Sequence, residues 1–347
     1  MKRKRLWTFL LFCAVIFCFA VASIPYFRSE SPQSTLELHF IDVGQGDASL
    51  ILCGEHAMLI DGGTAKNSSR IYTYLQKHGV EHLDYIVATH PHDDHVGGLA
   101  GALNYASVDV ALSPVTQAEG RAFESFVKYL NQQNVTITVP KPGDVYSLGE
   151  AELEVLGPMR DSPIVNDISL VLRIRFGSFS AIFTGDAGAA EEADIMSSGH
   201  TLRSDLLKVG HHGGSNASSE AWIQAVSPKI AVISCGRDND YGHPAAQTLS
   251  RLESVGAEIL RTDTLGDIVI TVYPDGTVQR FDSTQPTPDT VQADADITYI
   301  INTRTGKFHD PSCSSAAEIS PGNRLETTAN REDLLSRGYE PCGKCRP

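Results

Sequence analysis

Residues 89–98 read Thr-His-Pro-His-Asp-Asp-His-Val-Gly-Gly, a run dense in groups that bind divalent cations. His90 and His92 are two positions apart, so an extended backbone turns both imidazoles to one side. Asp94 and His95 follow where a strand would give way to a helix. Nitrogen and oxygen donors thus converge from six positions, enough to hold two metals of the zinc or manganese kind. Such a pair would acidify a water toward hydroxide near neutral pH, a nucleophile for phosphorus or for a carbonyl carbon.

Further donors stand where such a centre needs them. Asp61 closes an apolar strand and precedes Gly62 and Gly63, whose missing Cβ atoms let other backbone approach. Its expected part is to orient a ligand histidine, with direct ligation as the alternative. Phe183-Thr184-Gly185-Asp186 repeats the logic, an apolar strand ending in a carboxylate that could bridge both metals. Lys208-Val209-Gly210-His211-His212-Gly213-Gly214-Ser215 ends another strand in imidazole. On ligand chemistry, His90 and His92 are expected to hold one ion, and Asp94, His95 and His211 the other. His211 is preferred for its closeness to the strand, and His212 is the alternative. Asp94, Asp186 and His243 form the expected catalytic set. His243, between Gly242 and Pro244, would contact a phosphate or protonate a leaving group. Ser215 would offer a hydroxyl to substrate or cap a helix. Asp42, Gln45 and Asp47 line a Gly-rich turn that reads as substrate-binding or as a plain hairpin.

The elements that must carry these groups alternate along the chain. Strands are expected at Leu36–Val43, Ala48–Cys53, Ala57–Ile60 and Tyr85–Ala88, with helices at Ser69–Lys77, Val96–Tyr105 and Arg121–Gln132. In the last of these, Phe123, Phe126, Val127 and Leu130 fall at helical spacing. Further strands are expected at Thr136–Val139, Glu152–Leu156, Ser169–Phe176, Ser180–Phe183, Asp205–Val209, Lys229–Ile233, Glu258–Arg261, Asp267–Val272 and Val278–Phe281. Helices at Ala189–Ser197, Ser218–Val226 and Ala245–Val255 fall between them. Two βα halves with donors at strand ends fit two stacked sheets covered by helices.

Composition bounds the partners. The 347 residues carry a net charge of −14, with 41% hydrophobic and 20% charged residues. Setting aside Lys2, Arg3, Lys4 and Arg5 leaves about −18, which argues against a sequence-independent groove for duplex DNA. Hydrolysis of a polyanion stays open, because bound cations invert the local field.

Met1–Arg5 is a basic segment, Leu6–Ala22 is uncharged, and Ala20-Val21-Ala22 offers a small-x-small cleavage site. Residues 1–25 therefore read as a signal peptide or a retained membrane anchor, and the catalytic part as secreted or anchored outside the cytoplasm. A lipoprotein signal is excluded by Phe17 before Cys18. Cys53 and Cys235 sit alone beside apolar strand residues and read as plain buried thiols.

The motifs together resemble the metallo-β-lactamase superfamily, and within it the hydrolase domain of ComEC-like competence proteins. The match is carried by residues 40–48 (Phe-Ile-Asp-Val-Gly-Gln-Gly-Asp-Ala), Leu59–Gly63, His90–Gly98, Asn166–Leu172, Phe183–Asp186, Lys208–Ser215 and Asn239–Pro244. It implies an α/β fold, the αβ/βα four-layer sandwich, a dinuclear metal centre, and hydrolysis, often of phosphodiesters in nucleic acid. The superfamily usually supplies a further histidine between the first run and the bridging aspartate. Here Asn166 and Asp167 occupy that region, so the resemblance implies one weakly held metal, with Asn166 as an alternative ligand. The many membrane helices of a full ComEC channel have no counterpart.

The organisation expected is a hydrolase domain over 34–282, a polar linker over 283–296, and a small module over 297–347. In that module His309, Cys313, Cys342 and Cys345 make a Cys3His set for a structural zinc, which would let so small a core fold. A disulfide is the alternative, although three cysteines cannot pair evenly. The Gly-Tyr-Glu-Pro-Cys-Gly-Lys-Cys ending resembles the Ada-like metal-binding modules of some exported nucleases. The function expected is an exported phosphodiesterase or nuclease acting on nucleic acid or another phosphodiester. The alternatives are hydrolysis of an ester, lactone, amide or phosphocholine-type bond, or non-catalytic surface binding. No protein partner can be inferred, and a membrane partner follows only if the leader stays uncleaved.

Overall fold

The computed structural model describes residues 34–283, 298–309, 311, 313–327, 334 and 339–345. The leader expected over 1–25 and all but Ser283 of the expected linker lie outside the described residues.

The first half of the chain contributes β1 (Leu36–Phe40), β2 (Ser49–Cys53), β3 (His56–Ile60), β4 (His82–Val87), β5 (Ser107–Leu112) and β6 (Ile137–Thr138). After these come β7 (Val145–Leu148), β8 (Ala151–Gly157), β9 (Val171–Phe176), β10 (Phe179–Phe183), β11 (Leu206–Lys208), β12 (Ile230–Ile233) and β13 (Glu258–Arg261). The last two strands of the sandwich are β14 (Ile268–Val272) and β15 (Val278–Asp282). One sheet runs β15-β14-β1-β2-β3-β4-β5-β6 and the other β13-β12-β11-β10-β9-β8-β7. Within each sheet a hairpin-built antiparallel portion adjoins a parallel one: β3 to β6 in the first sheet, β10 to β13 in the second.

Three cores separate four layers. Phe40, Ile51, Met58, Leu172, Ile174 and Phe183 belong to the cluster shared by both sheets, where the Phe40 and Phe183 rings stack at 5.8 Å. The outer face of the first sheet packs on helices Ser68–Lys77, Leu99–Leu103 and Arg121–Gln132 through Ile71, Leu75, Leu99, Phe123 and Phe126. The outer face of the second packs on Ala189–Ser197, Glu220–Val226 and Ala246–Ser254 through Ile195, Trp222 and Leu252. This is the αβ/βα sandwich. Full burial of side chains such as Trp222 and Phe126 contributes roughly 1.5–3 kcal/mol each relative to exposure.

Two strands of the sandwich escape the sequence pattern, β5 and β7. β7 is short, and both expose polar residues (Ser107 and Asp109, Ser147), so neither presents a long apolar run. The helix expected at Val96–Tyr105 is instead two pieces, Asp93–Val96 and Leu99–Leu103, broken at Gly97-Gly98. The break has a steric cause. Gly98 lies flat on the loop after β3: a Cβ there would overlap the Gly62 carbonyl, and Gly98 N donates to Gly63 O at 2.9 Å. Gly62 N donates in turn to His95 O at 2.7 Å. Two glycine pairs thus press backbone on backbone and bring the Asp61 loop under the histidine run.

The C-terminal residues form a third sheet, with β16 (Tyr299–Asn302), β17 (Lys307–His309), β18 (Arg324–Thr327) and β19 (Glu340–Pro341) in the order β18-β16-β17-β19. Small cores of its own include Ile300, Ala316 and Cys342 on one side and Ile301, Phe308 and Leu334 on the other.

Candidate metal centre

Parallel strands point their C-terminal ends the same way, and loops leaving those ends build the site. Asp61 follows β3, His90 follows β4, Asp186 follows β10, and the His211-His212 pair follows β11. Gly185 O accepts from His211 N at 3.1 Å, tying two of these loops together.

Asp186 is buried, and its two carboxylate oxygens face different donors. Oδ1 lies 3.2 Å from His95 Nε2 and 3.7 Å from His212 Nε2. Oδ2 lies 3.7 Å from His90 Nε2 and 3.8 Å from His211 Nε2. On the first side Asp94 Oδ2 comes within 3.3 Å of His212 Nε2. On the second, His90 Nε2 and His92 Nδ1 are 3.0 Å apart, and Asn166 Nδ2 is 3.4 Å from His211 Nε2.

The donors facing this centre are unsatisfied. His95 Nε2, His212 Nε2 and Asp186 Oδ1 are buried and lack hydrogen-bond partners. Unpartnered buried polar atoms are costly, and three that converge mark a place built for a ligand. Imidazole nitrogens and carboxylate oxygens in this number suit zinc or manganese. The residues fit divalent cations.

Behind the donors, imidazole orientation is set by buried acceptors. Asp61 Oδ2 accepts from His95 Nδ1 at 2.7 Å, and Thr89 holds that carboxylate by its N (2.8 Å) and Oγ1 (2.7 Å). His212 Nδ1 stands 3.1 Å from Ser234 O and 3.1 Å from Asp47 Oδ1. Asp61, His211 and His212 all have positive φ (57°, 48° and 54°), conformations that cost free energy away from glycine and cluster at functional sites.

Charge reinforces geometry. Burial works to raise the Asp186 carboxyl, but His95 and His212 override it and hold it well below the usual carboxylate range. Burial works to lower His95, and Asp186 with Asp61 lifts it well above the ordinary imidazole value instead. His90, with burial and then His95 against its charged form, is held well below.

The structure corrects several expectations. His212, not His211, comes together with His95, Asp186 and the buried Asp47, one donor atom of each within 4.8 Å of the others, and Asp94 Oδ2 meets His212 Nε2 at 3.3 Å. Two successive left-handed residues swing the second imidazole inward, leaving His211 partly exposed and bonded to Asn216 Oδ1 at 2.8 Å. Asp47 is buried beneath His212 and does not line the cleft, so it cannot meet substrate. Asp42 Oδ1 accepts from Gly44 N at 3.0 Å, a turn contact away from the cleft. Ser215 is exposed outside the cleft, and the following helix is capped by Ser219, whose Oγ accepts from Trp222 N at 3.3 Å. Sequence reasoning gave Lys208 no role. It is buried, with Nζ 2.7 Å from Asp47 Oδ2, and a lone lysine before an imidazole pair was the signal available.

Gln45, His92, Asp93, Asp94, Glu119, Asn166, Asp186, His211, His212, Tyr241 and His243 line a cleft of about 440 Å³, with no Lys or Arg among the described residues that line it. His243 Nδ1 is buried without a partner, and burial followed by the neighbouring His211 and His212 pushes its imidazole down. The exposed Tyr241 ring stacks on His243 at 5.7 Å and 24°. Asn239 clamps this loop, its Oδ1 accepting from Tyr241 N (3.1 Å) and His243 N (3.0 Å).

Beside the third sheet, His309, at the end of β17, and Cys313, Cys342 and Cys345 bring one donor atom each within 4.8 Å of one another. His309 Nδ1 is buried without a partner, and no disulfide forms among the described residues. Three thiols and an imidazole fit a closed tetrahedral metal site.

Comparison with known proteins agrees with the geometry. Residues 41–237 match the metallo-beta-lactamase superfamily. The chain is similar to ComE operon protein 3 of Bacillus subtilis (strain 168), 32% identical over 276 residues, covering 74% of this chain and 34% of that protein. It is similar to Competence protein ComA of Neisseria gonorrhoeae, 29% identical over 250 residues, covering 71% of this chain and 34% of that one. It thus spans about a third of the length of these curated relatives. Among solved structures it is similar to the metallo-beta-lactamase fold protein YhfI of Bacillus subtilis, with a TM-score of 0.46, 14% identity, and coverage of 71% of this chain and all of that one.

Proposed function

This chain belongs to the metallo-β-lactamase superfamily, and from that premise we propose that it is an exported metal-dependent phosphodiesterase acting on nucleic acid. The observation that supports a two-cation hydrolase is Asp186, whose two oxygens serve two separate groups of donors. Asp94, His95, His212 and Asp186 Oδ1 would hold one cation, and His90, His92 and Asp186 Oδ2 the other. Two divalent cations there supply Lewis acidity toward the substrate oxygens and an acidified water at neutral pH.

The chain's own groups do the rest. His95 and His212 present Nε2 to the centre because acceptors behind them hold the proton at Nδ1. His243, held toward its neutral form, offers a ring nitrogen that hydrogen-bonds a leaving-group oxygen rather than a permanent cation. Its floor is shared with Tyr241, whose free face can accept a planar ring. Asp93 and Glu119 give the cleft an acidic lining, so an anionic substrate would depend on the cations for neutralisation. Similarity to competence proteins supports nucleic acid as the substrate. The acidic lining favours a second reading, hydrolysis of an uncharged ester or lactone. The basic-then-apolar leader supports export, and the Cys3His set supports a structural zinc in a C-terminal module.

Purified protein loaded with manganese or zinc should cleave single-stranded DNA and bis-p-nitrophenyl phosphate and leave nitrocefin intact. Hydrolysis of simple esters or lactones alone would establish the second reading and end the first.

A further inference from the structure

The least expected group near the centre is a lysine with no access to substrate. Lys208 ends β11 in the second sheet, is 2% exposed, and reaches across to Asp47, which precedes β2 in the first sheet. Its Nζ donates to Asp47 Oδ2 at 2.7 Å and to Val209 O at 3.2 Å. Asp47 Oδ1 has no hydrogen bond of its own and lies 3.1 Å from His212 Nδ1. Lysine is almost never so buried unless paired, and a buried pair is by itself weak support for stability. What it touches is therefore the informative part.

We infer that Lys208 and Asp47 are positioning residues, a buried charge pair that fixes His212 for cation binding. The ammonium anchors one carboxylate oxygen and aims the other at the Nδ1 edge of the imidazole. With both acceptors of that edge, Ser234 O and Asp47 Oδ1, able only to accept, the proton stays on Nδ1. Nε2 then turns its lone pair to Asp94 and Asp186. Asp61 gives the same service to His95, where Thr89 takes the part that Lys208 has here. One small void of about 10 Å³ is lined by Asp47, Asp61, Thr89 and Lys208 together with Ile60 and Phe183, so both devices border a single cavity. A negative charge behind a ligand imidazole also raises its basicity as a donor.

The competing account is a plain tie between the two sheets. The test uses the full chain with Asp47→Asn, Lys208→Met and the charge-balanced double variant. Zinc affinity is read by competition with a chromophoric chelator, cobalt(II) binding by its visible absorption, and melting in excess EDTA reports metal-free stability. We expect Lys208→Met and the double variant to lose about 10–100-fold in zinc affinity at one of two positions, with an altered cobalt spectrum there. The double variant should melt in EDTA near the parent. If affinities and cobalt spectrum stay at parent values while the EDTA melt drops, or if nothing changes, the inference is overturned. Should Lys208→Met fail to fold, the isosteric Asp47→Asn decides alone by the same affinity and spectrum. Because these readouts need no substrate, they stand apart from the choice of phosphodiester or ester.

Discussion

The two sides of Asp186 are built differently. On the Asp94/His95/His212 side, both imidazoles are buried, and each has a carboxylate and a second fixed group behind its far nitrogen. On the His90/His92 side, His92 is exposed and pairs with His90 at 3.0 Å, and His90 Nδ1 meets the Thr89 hydroxyl at 3.2 Å. Asn166 and the partly exposed His211 complete that side beside Asp186 Oδ2. The contrast teaches that a two-cation centre can pair one rigid position, formed before the cation arrives, with one adaptable position open to the cleft. Pre-organised donors lose little freedom on binding, whereas exposed ones must be ordered at that moment.

The shared carboxylate is the severest place to break the contrast. Asp186→Ala should lower phosphodiester turnover by on the order of 10³-fold and release both cations, seen as metal per chain by elemental analysis. A variant that kept two ions would show that the oxygens do not divide as described. Next in size, His92→Ala should keep one zinc while His95→Ala loses the tighter one, and a weak chelator should strip the parent in two stages. Single-stage release would make the sides equivalent.

Acidity sharpens the comparison on the rigid side. In stripped protein, burial opposes a proton on His212, yet Asp186 and Asp47 outweigh it and lift the imidazole to about 10. A folded value above the unfolded one of about 6.5 gives stability fully present below that pH and lost as pH rises through about 10. EDTA-treated protein should therefore melt lower as pH climbs across this window. Zinc-loaded protein should not, and equal slopes would contradict the assignment. The smallest effect is expected at the cleft mouth. Tyr241→Ala should raise KM for single-stranded DNA a few-fold, less than the about 1–3 kcal/mol of a full base–aromatic stack, with kcat little changed and Tyr241→Phe near the parent.

Much of this was legible in residue order. Donors at strand ends, the apolar spacing of Arg121–Gln132 and the Asp61 loop are local patterns, and the sandwich places them as the pattern demands. The choice between His211 and His212 was not legible, because two left-handed residues in succession reverse which ring faces inward. Nor was the burial of Asp47, which depends on a lysine 161 residues away in the other sheet. Turn composition predicts a turn; it says nothing about which side chain a distant strand will cover.

The flush contact between Gly62 and Gly98 has a consequence for how this protein can be silenced. Neither residue binds anything, yet one added methyl at either would wedge the Asp61 loop away from the helix start that bears His95. Inactivation therefore lies within a single carbon's width of a seam that no inventory of ligands would include.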